Sequence, residues 1–176
     1  MTHPLAPAAT PFRPAALRLL LAALATALLL GCQTPPPAAS GGMSQRQVAA
    51  LLRAGFTLGD AGWGLSLDGP ILFDSNDDQL SERAHKALRQ VTEALRSVDI
   101  DSLRVEGHAD NTGNERNNQA LSQRRADAVA RAIADYGIPY GNIVRRGLGS
   151  AHPIADNASA EGRAQNRRVA IIVPAG

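Results

Sequence analysis

Leu103-Arg104-Val105-Glu106, then Gly107-His108-Ala109-Asp110-Asn111-Thr112-Gly113-Asn114, then a long segment from about Glu115 to Tyr136: this run decides the fold. The first four residues alternate apolar and polar, as a half-buried strand does. The next eight are rich in turn-forming residues and read as a loop. Gly137 behind the long segment is a helix stop, and Pro139 follows it. Strand, loop and helix in this order are one half of an α/β unit.

The same alternation continues on both sides. Upstream, Ser81 caps a helix running to about Ser97, with Ala84, Leu88, Val91 and Leu95 as a buried stripe at 3.6-residue spacing. Downstream, Ile143–Arg146 is a strand, 147–157 a Gly- and Pro-bearing loop, Ser159–Gln165 a short helix and Arg168–Val173 the last strand. This spacing predicts an α+β sandwich, a mixed sheet with helices packed on one side. Ahead of it, Ser44 opens a short helix with Gln47 as the second half of a capping box, and Gly55 closes it. Gly62-Trp63-Gly64-Leu65-Ser66-Leu67 then reads as a strand, Asp68-Gly69 as a tight turn and Ile71-Leu72-Phe73 as its hairpin partner.

The start of the chain is different in kind. Arg13 and Arg18 precede an apolar run from Leu19 to Leu30, too short to span a bilayer, which takes about 20 residues. A basic flank, a short apolar core and a small residue before a break make a secretory leader. The break reads Leu29-Leu30-Gly31-Cys32, with the only cysteine of the chain at its end. Residues 33–43, QTPPPAASGGM, carry no charge and describe a spacer that reaches at most about 40 Å. With the boundaries at Cys32 and Ile71 that the resemblances given below imply, the expected organisation is a leader over 1–31, a tether over 32–43, a helix-hairpin prelude over 44–70 and a domain over 71–176.

Composition removes several functions. The 176 residues carry 18 basic and 16 acidic side chains, a net charge of +2, with no long Lys/Arg run and Lys86 the single lysine, so nucleic acid is not an expected partner. The leader takes Arg13 and Arg18 with it, and the rest is charge-balanced. A lone cysteine excludes an internal disulfide. Nucleophilic catalysis would need a serine on a strained turn, and none has that setting, so no enzyme is expected. His108 with Asp110 supplies only two metal ligands. Asp74-Ser75-Asn76-Asp77-Asp78 begins like a calcium loop, but Gln79 and His85 stand where glycine and an acid are needed. No cofactor is expected.

What remains is a polar constellation. Asn118, Leu121, Ser122 and Arg125 share one helix face, and that face follows the loop bearing Asp110. Asp110 and Arg125 can close on each other as a salt bridge. Alternatively they receive a zwitterion, Asp110 taking an ammonium and Arg125 a carboxylate.

Two resemblances bear on these residues. Leu-Leu-Gly-Cys ending at Cys32 resembles the lipobox of bacterial lipoproteins, which implies an acylated Cys32; Gln33 in place of an aspartate implies sorting to the outer membrane, facing the periplasm. GHADNTG, Asn118, LSQRRA (121–126), GLGSAHPIADN (147–157) and GRAQNRRV (162–169) together resemble the OmpA C-terminal, peptidoglycan-binding family over roughly Ile71–Val173. The resemblance implies a βαβαβ domain that binds the diaminopimelate side chain of wall peptides without covalent chemistry. It places the ligand at Asp110, Arg125 and Asn118, with Phe73, Asp74, Asn111, Thr112, Gly113, Leu121 and Arg168 around it. Ala109 stands where the family often has threonine and Asn117 where tyrosine is common, which bears on affinity.

The prelude together with the ending RRVAIIVPA resembles the YfiB-type lipoproteins of a tripartite periplasmic signalling system. That implies a small periplasmic inhibitor protein as partner, whose sequestration releases a diguanylate cyclase for cyclic-di-GMP synthesis and biofilm formation. Phe56, Leu58 and Trp63 are the apolar side chains expected either at that contact or in the core. The alternative is a purely structural tether between outer membrane and cell wall. A homodimer is left open.

Overall fold

The computed structural model describes residues 42–73 and 79–175, which belong to one compact unit. The leader, Cys32, most of the tether and Asp74 lie outside the described residues.

Local signals set most of the elements. Helix α1 (Gln45–Arg53) starts at Ser44, whose hydroxyl accepts from the Gln47 N–H while the Gln47 side chain returns to the Ser44 backbone, a complete capping box. Strands β1 (Thr57–Gly59) and β2 (Gly62–Asp68) follow, then a single helical turn, α2 (Gly69–Leu72). Helix α3 (Glu82–Arg96) is capped by the Ser81 hydroxyl on the Ala84 N–H and buries Ala84, Leu88, Val91 and Leu95, the stripe read from the sequence. Strand β3 (Leu103–Gly107), helix α4 (Glu115–Asp135), strand β4 (Ile143–Gly147), helix α5 (Ala160–Asn166) and strand β5 (Arg168–Val173) complete the domain. Gly137 ends α4 at φ +109°, a conformation that costs an L side chain dearly.

One sheet runs in the order β1-β2-β5-β3-β4. Strands β3 and β4 are parallel and joined through α4, while β5 is antiparallel to both β3 and β2. Leu103, Val105, Val169, Ile171 and Val173 face the helices and form the core with Leu88, Leu95, Val129 and Ile133. The opposite face of β3 carries Arg104 and Glu106, paired at 2.7 Å.

The hairpin differs from the sequence expectation. A short helix and a β-hairpin do precede the domain, but the hairpin is Thr57–Asp68, with Leu58 opposite Trp63, and not Gly62–Phe73. Asp68-Gly69 leads into α2 because Pro70 sits in its first turn, where a missing N–H costs nothing. Phe73 makes only an isolated bridge to Leu80. The partner of β2 is instead β5, in register from Trp63–Val173 to Asp68–Arg168, so the prelude supplies a strand to the sheet itself.

Two glycines set the height of α4. Gly107 and Gly147 lie opposite each other at the ends of β3 and β4, and a Cβ on either would collide with the α4 backbone at Ser122 or Gln123. Gln119 and Gln123 then bond the Gly147 carbonyl and N–H at 2.6 and 2.7 Å. The helix is pressed onto the strand ends, directly beside the loop that holds Asp110.

Candidate functional site

Asp110 lies in the loop after β3 and is almost wholly buried, so its charge must be met locally. Its Oδ1 accepts from the Thr112 N–H at 2.8 Å and from the Thr112 hydroxyl. Its Oδ2 accepts from Arg167 Nη1 at 2.6 Å. Burial pulls this carboxyl upward, but the Thr112 hydroxyl, the Arg167 guanidinium and the Thr112 N–H outweigh it and hold the group below its ordinary value. Asp110 is therefore a fixed anion at neutral pH.

Asn118, in the first turns of α4, donates its side-chain amide to the Asp110 carbonyl at 3.1 Å and to the Thr112 carbonyl at 3.0 Å. It shapes the loop that shapes Asp110. Gly113 adopts φ +83° with open space around it, so backbone conformation and not crowding calls for glycine there. Asn111 is exposed, and its N–H donates to Asn157 Oδ1 at 3.3 Å. Asn157 is held in turn by buried Asn166, whose side chain also bonds the backbone of Ile154 and Ala155. The GRAQN segment thus braces the 147–157 loop against the Asp110 loop.

Arg125, one helical turn beyond Leu121, is buried with its guanidinium 4.9 Å from the centre of the Phe73 ring. Phe73, Asp110, Thr112, Asn118, Leu121 and Arg125 line a single cavity of about 650 Å³, together with Gly69, Pro70, Ala109 and Arg167. A buried carboxylate, two guanidiniums and an aromatic wall give the cavity the chemistry to form charge-assisted hydrogen bonds with both an ammonium and a carboxylate.

Asn111 and Gly113 belong to the Asp110 loop but do not line the cavity, and three further residues lie away from it. Arg168 does not line this cavity. Its guanidinium donates to the carbonyls of Asn166 and His152, and it lies in a groove on the far side of the sheet. Arg167 occupies the cavity in its place. Arg167 is the C-cap of α5, one residue ahead of β5, and its side chain reaches Asp110 on the helix side. Phe56 and Trp63 are buried core residues, 1% and 8% exposed, whereas Leu58 is 63% exposed. Only Leu58 of the three offers an open apolar surface.

The Asp110–Arg125 salt bridge is not the arrangement found, since Asp110 pairs with Arg167. His108 is buried with its Nδ1 unpaired, and burial and the nearby Arg168 and His152 charges lower its pKa from 6.5 to about 4. It is neutral at pH 7. Among the described residues no cluster of three or more His, Cys, Asp or Glu could hold a metal ion, and no helix is long and apolar enough to cross a membrane.

Residues 72–167 match the OmpA family, and the chain belongs to it. Outer-membrane lipoprotein YfiB of Pseudomonas aeruginosa is 48% identical over 160 residues, which cover 90% of this chain and 94% of that one. The putative lipoprotein YfiB of Escherichia coli is 40% identical over 147 residues, 83% of this chain and 89% of that one. Among solved structures, the cell wall anchor of the T6SS from Pseudomonas aeruginosa superposes with a TM-score of 0.62 at 34% identity, covering 74% of this chain and 96% of that chain. The chain is accordingly an outer-membrane lipoprotein whose folded domain faces the periplasm.

Proposed function

We propose that this protein holds peptidoglycan non-covalently, taking the free end of a diaminopimelate side chain into the Asp110–Arg125 cavity while an acylated Cys32 anchors it in the outer membrane. The observation that carries the reading is the burial of Asp110 and Arg125 in the walls of one cavity. Asp110 receives the ammonium and Arg125 the carboxylate. Phe73 backs the guanidinium, and Asn118 and Thr112 keep the loop in shape. No bond is made or broken, so binding is reversible and the wall is unchanged. The likeness to a cell wall anchor supports the same reading.

The test is sedimentation with isolated cell-wall sacculi. The wild-type chain should pellet, and Asp110→Ala and Arg125→Ala should each remain in the supernatant while still melting cooperatively as folded proteins. Full pelleting of the double variant would reject the site.

The likeness to YfiB lipoproteins across 90% of the chain supports a finer reading. The prelude captures a small periplasmic inhibitor protein and so releases a diguanylate cyclase in the inner membrane, raising cyclic-di-GMP and promoting biofilm. Exposed Leu58 on the edge strand β1 is the contact side chain. Deleting the segment before Ile71 is a poor test, because it removes β2 from the sheet. Substitution of Leu58 is the clean one: the wild-type chain should capture a defined partner from periplasm and Leu58→Asp should not. Capture of wall alone by both would make the protein a tether.

A further inference from the structure

We propose that Arg167 is the specificity-determining residue of the cavity: standing on Asp110, it disfavours an ammonium that arrives alone and admits one whose own carbon bears a carboxylate. The inference rests on the ammonium-binding role given to Asp110 above.

The acceptor sites of Asp110 are nearly all in use. Thr112 occupies Oδ1 with two donors, and Arg167 occupies Oδ2 at 2.6 Å. A carboxylate has about four lone-pair sites in all. The remaining capacity lies beside Arg167, so an incoming ammonium must share an oxygen with a guanidinium. Two cations on one anion repel, and the Phe73 and Leu121 walls weaken the screening.

Arg167 cannot be shed by moving the chain. Its carbonyl accepts from the Gly69 N–H at 2.7 Å, and a Cβ at Gly69 would lie 2.6 Å from that oxygen, so the start of α2 is seated directly on it. Its N–H is tied to the Arg163 carbonyl at 3.1 Å. The guanidinium therefore starts from a fixed Cα at the rim, with its side chain 38% exposed.

An α-amino-acid centre resolves the conflict. Its carboxylate and ammonium sit on one carbon, so the guanidinium that would repel the ammonium gains an anion in the same step. Arg125 holds that carboxylate from one side and Arg167 from the other. A diaminopimelate side chain ends in such a centre. A lysine side chain at the same place in a wall peptide ends in an ammonium alone, and Arg167 then has nothing to bind.

Calorimetric titration of the full chain in detergent tests this with two synthetic peptides, L-Ala-γ-D-Glu-meso-diaminopimelate and the same tripeptide with L-lysine third. The wild type should favour the diaminopimelate peptide by at least about tenfold. Arg167→Gln should shrink that ratio by about tenfold, chiefly through tighter lysine-peptide binding. Arg167→Lys keeps the charge and should preserve the ratio, which a merely structural role would not predict. Arg167→Met serves as a second neutral variant, and melting curves confirm that each is folded. An unchanged ratio in both neutral variants, or an equal collapse in the lysine variant, overturns the inference alone. Binding of neither peptide by the wild type overturns the ligand reading and this inference with it.

Discussion

Asp110 and Arg167 stand 57 positions apart in the sequence and 2.6 Å apart in the fold. The pair joins the loop after β3 to the C-cap of α5, just ahead of β5, and sets the charge of the cavity before any ligand enters. Asp110 is held below its ordinary pKa by that contact and by Thr112, against the opposing effect of burial. Its negative charge is present above the ordinary carboxylate value and is lost only as pH falls through the lowered folded value. Wall binding should therefore be flat from pH 7 to about 5 and decline only below about 4. Sedimentation with sacculi across that range checks it, and loss of binding between pH 7 and 6 would contradict it.

Thr112→Val removes the hydroxyl from Asp110 and leaves the shape of the loop. A hydrogen bond to a charged group contributes about 1.5–3 kcal/mol to stability, so the melting temperature should drop accordingly, and the wall affinity should fall with it because Asp110 is held less firmly. Titration with the diaminopimelate tripeptide gives the number.

His108 makes a separate prediction about stability. Its folded pKa of about 4 lies below the ordinary 6.5, so between those values the unfolded chain binds a proton that the folded chain refuses. This group therefore weakens the fold progressively as pH drops from about 6.5 towards 4, on the order of 3 kcal/mol at the low end. His108→Gln cannot titrate. Its melting temperature should fall less steeply than that of the wild type over the same pH range, and parallel slopes would count against the buried neutral imidazole.

Gly107→Ala tests how α4 is seated. The new Cβ meets the Ser122 carbonyl, and overpacking of this kind costs about 1–3 kcal/mol. Because α4 also carries Asn118 and Arg125, the substitution should lower both the denaturation midpoint and the wall affinity, although Gly107 touches no ligand. Urea unfolding and sedimentation read the two effects.

Phe56 and Leu58 separate core from surface within the prelude. Phe56→Ala should destabilise the domain by about 3–5 kcal/mol, since the ring is fully buried. Leu58→Asp should change stability by no more than about 0.5 kcal/mol and abolish partner capture. The reverse pattern would place the contact in the core.

Much of this was legible in the sequence because it is written locally. Ser44, Ser81 and Ser159 announce their helices through single side-chain caps, and the Ala84–Leu95 stripe needs only the helical period. Asp110, Asn118 and Arg125 were legible because one loop and one helix face bring them together. The hairpin was not. Thr57-Leu58-Gly59 is too short to show a period, and Asp68-Gly69 looks like a turn until the Arg167 carbonyl, just ahead of β5, is known to claim the Gly69 N–H. The exchange of Arg168 for Arg167 has the same origin. Arg167 caps α5 and Arg168 opens β5, and where that boundary falls is fixed by the pairing of β5 with β2 and β3, a long-range property.

The most direct measurement is a crystal structure of the chain with the diaminopimelate tripeptide bound. The free ammonium should lie on Asp110 and the carboxylate of that same carbon on Arg125, with Arg167 closing the other side. A tripeptide bound outside this cavity, or bound with its free ammonium away from Asp110, would contradict it.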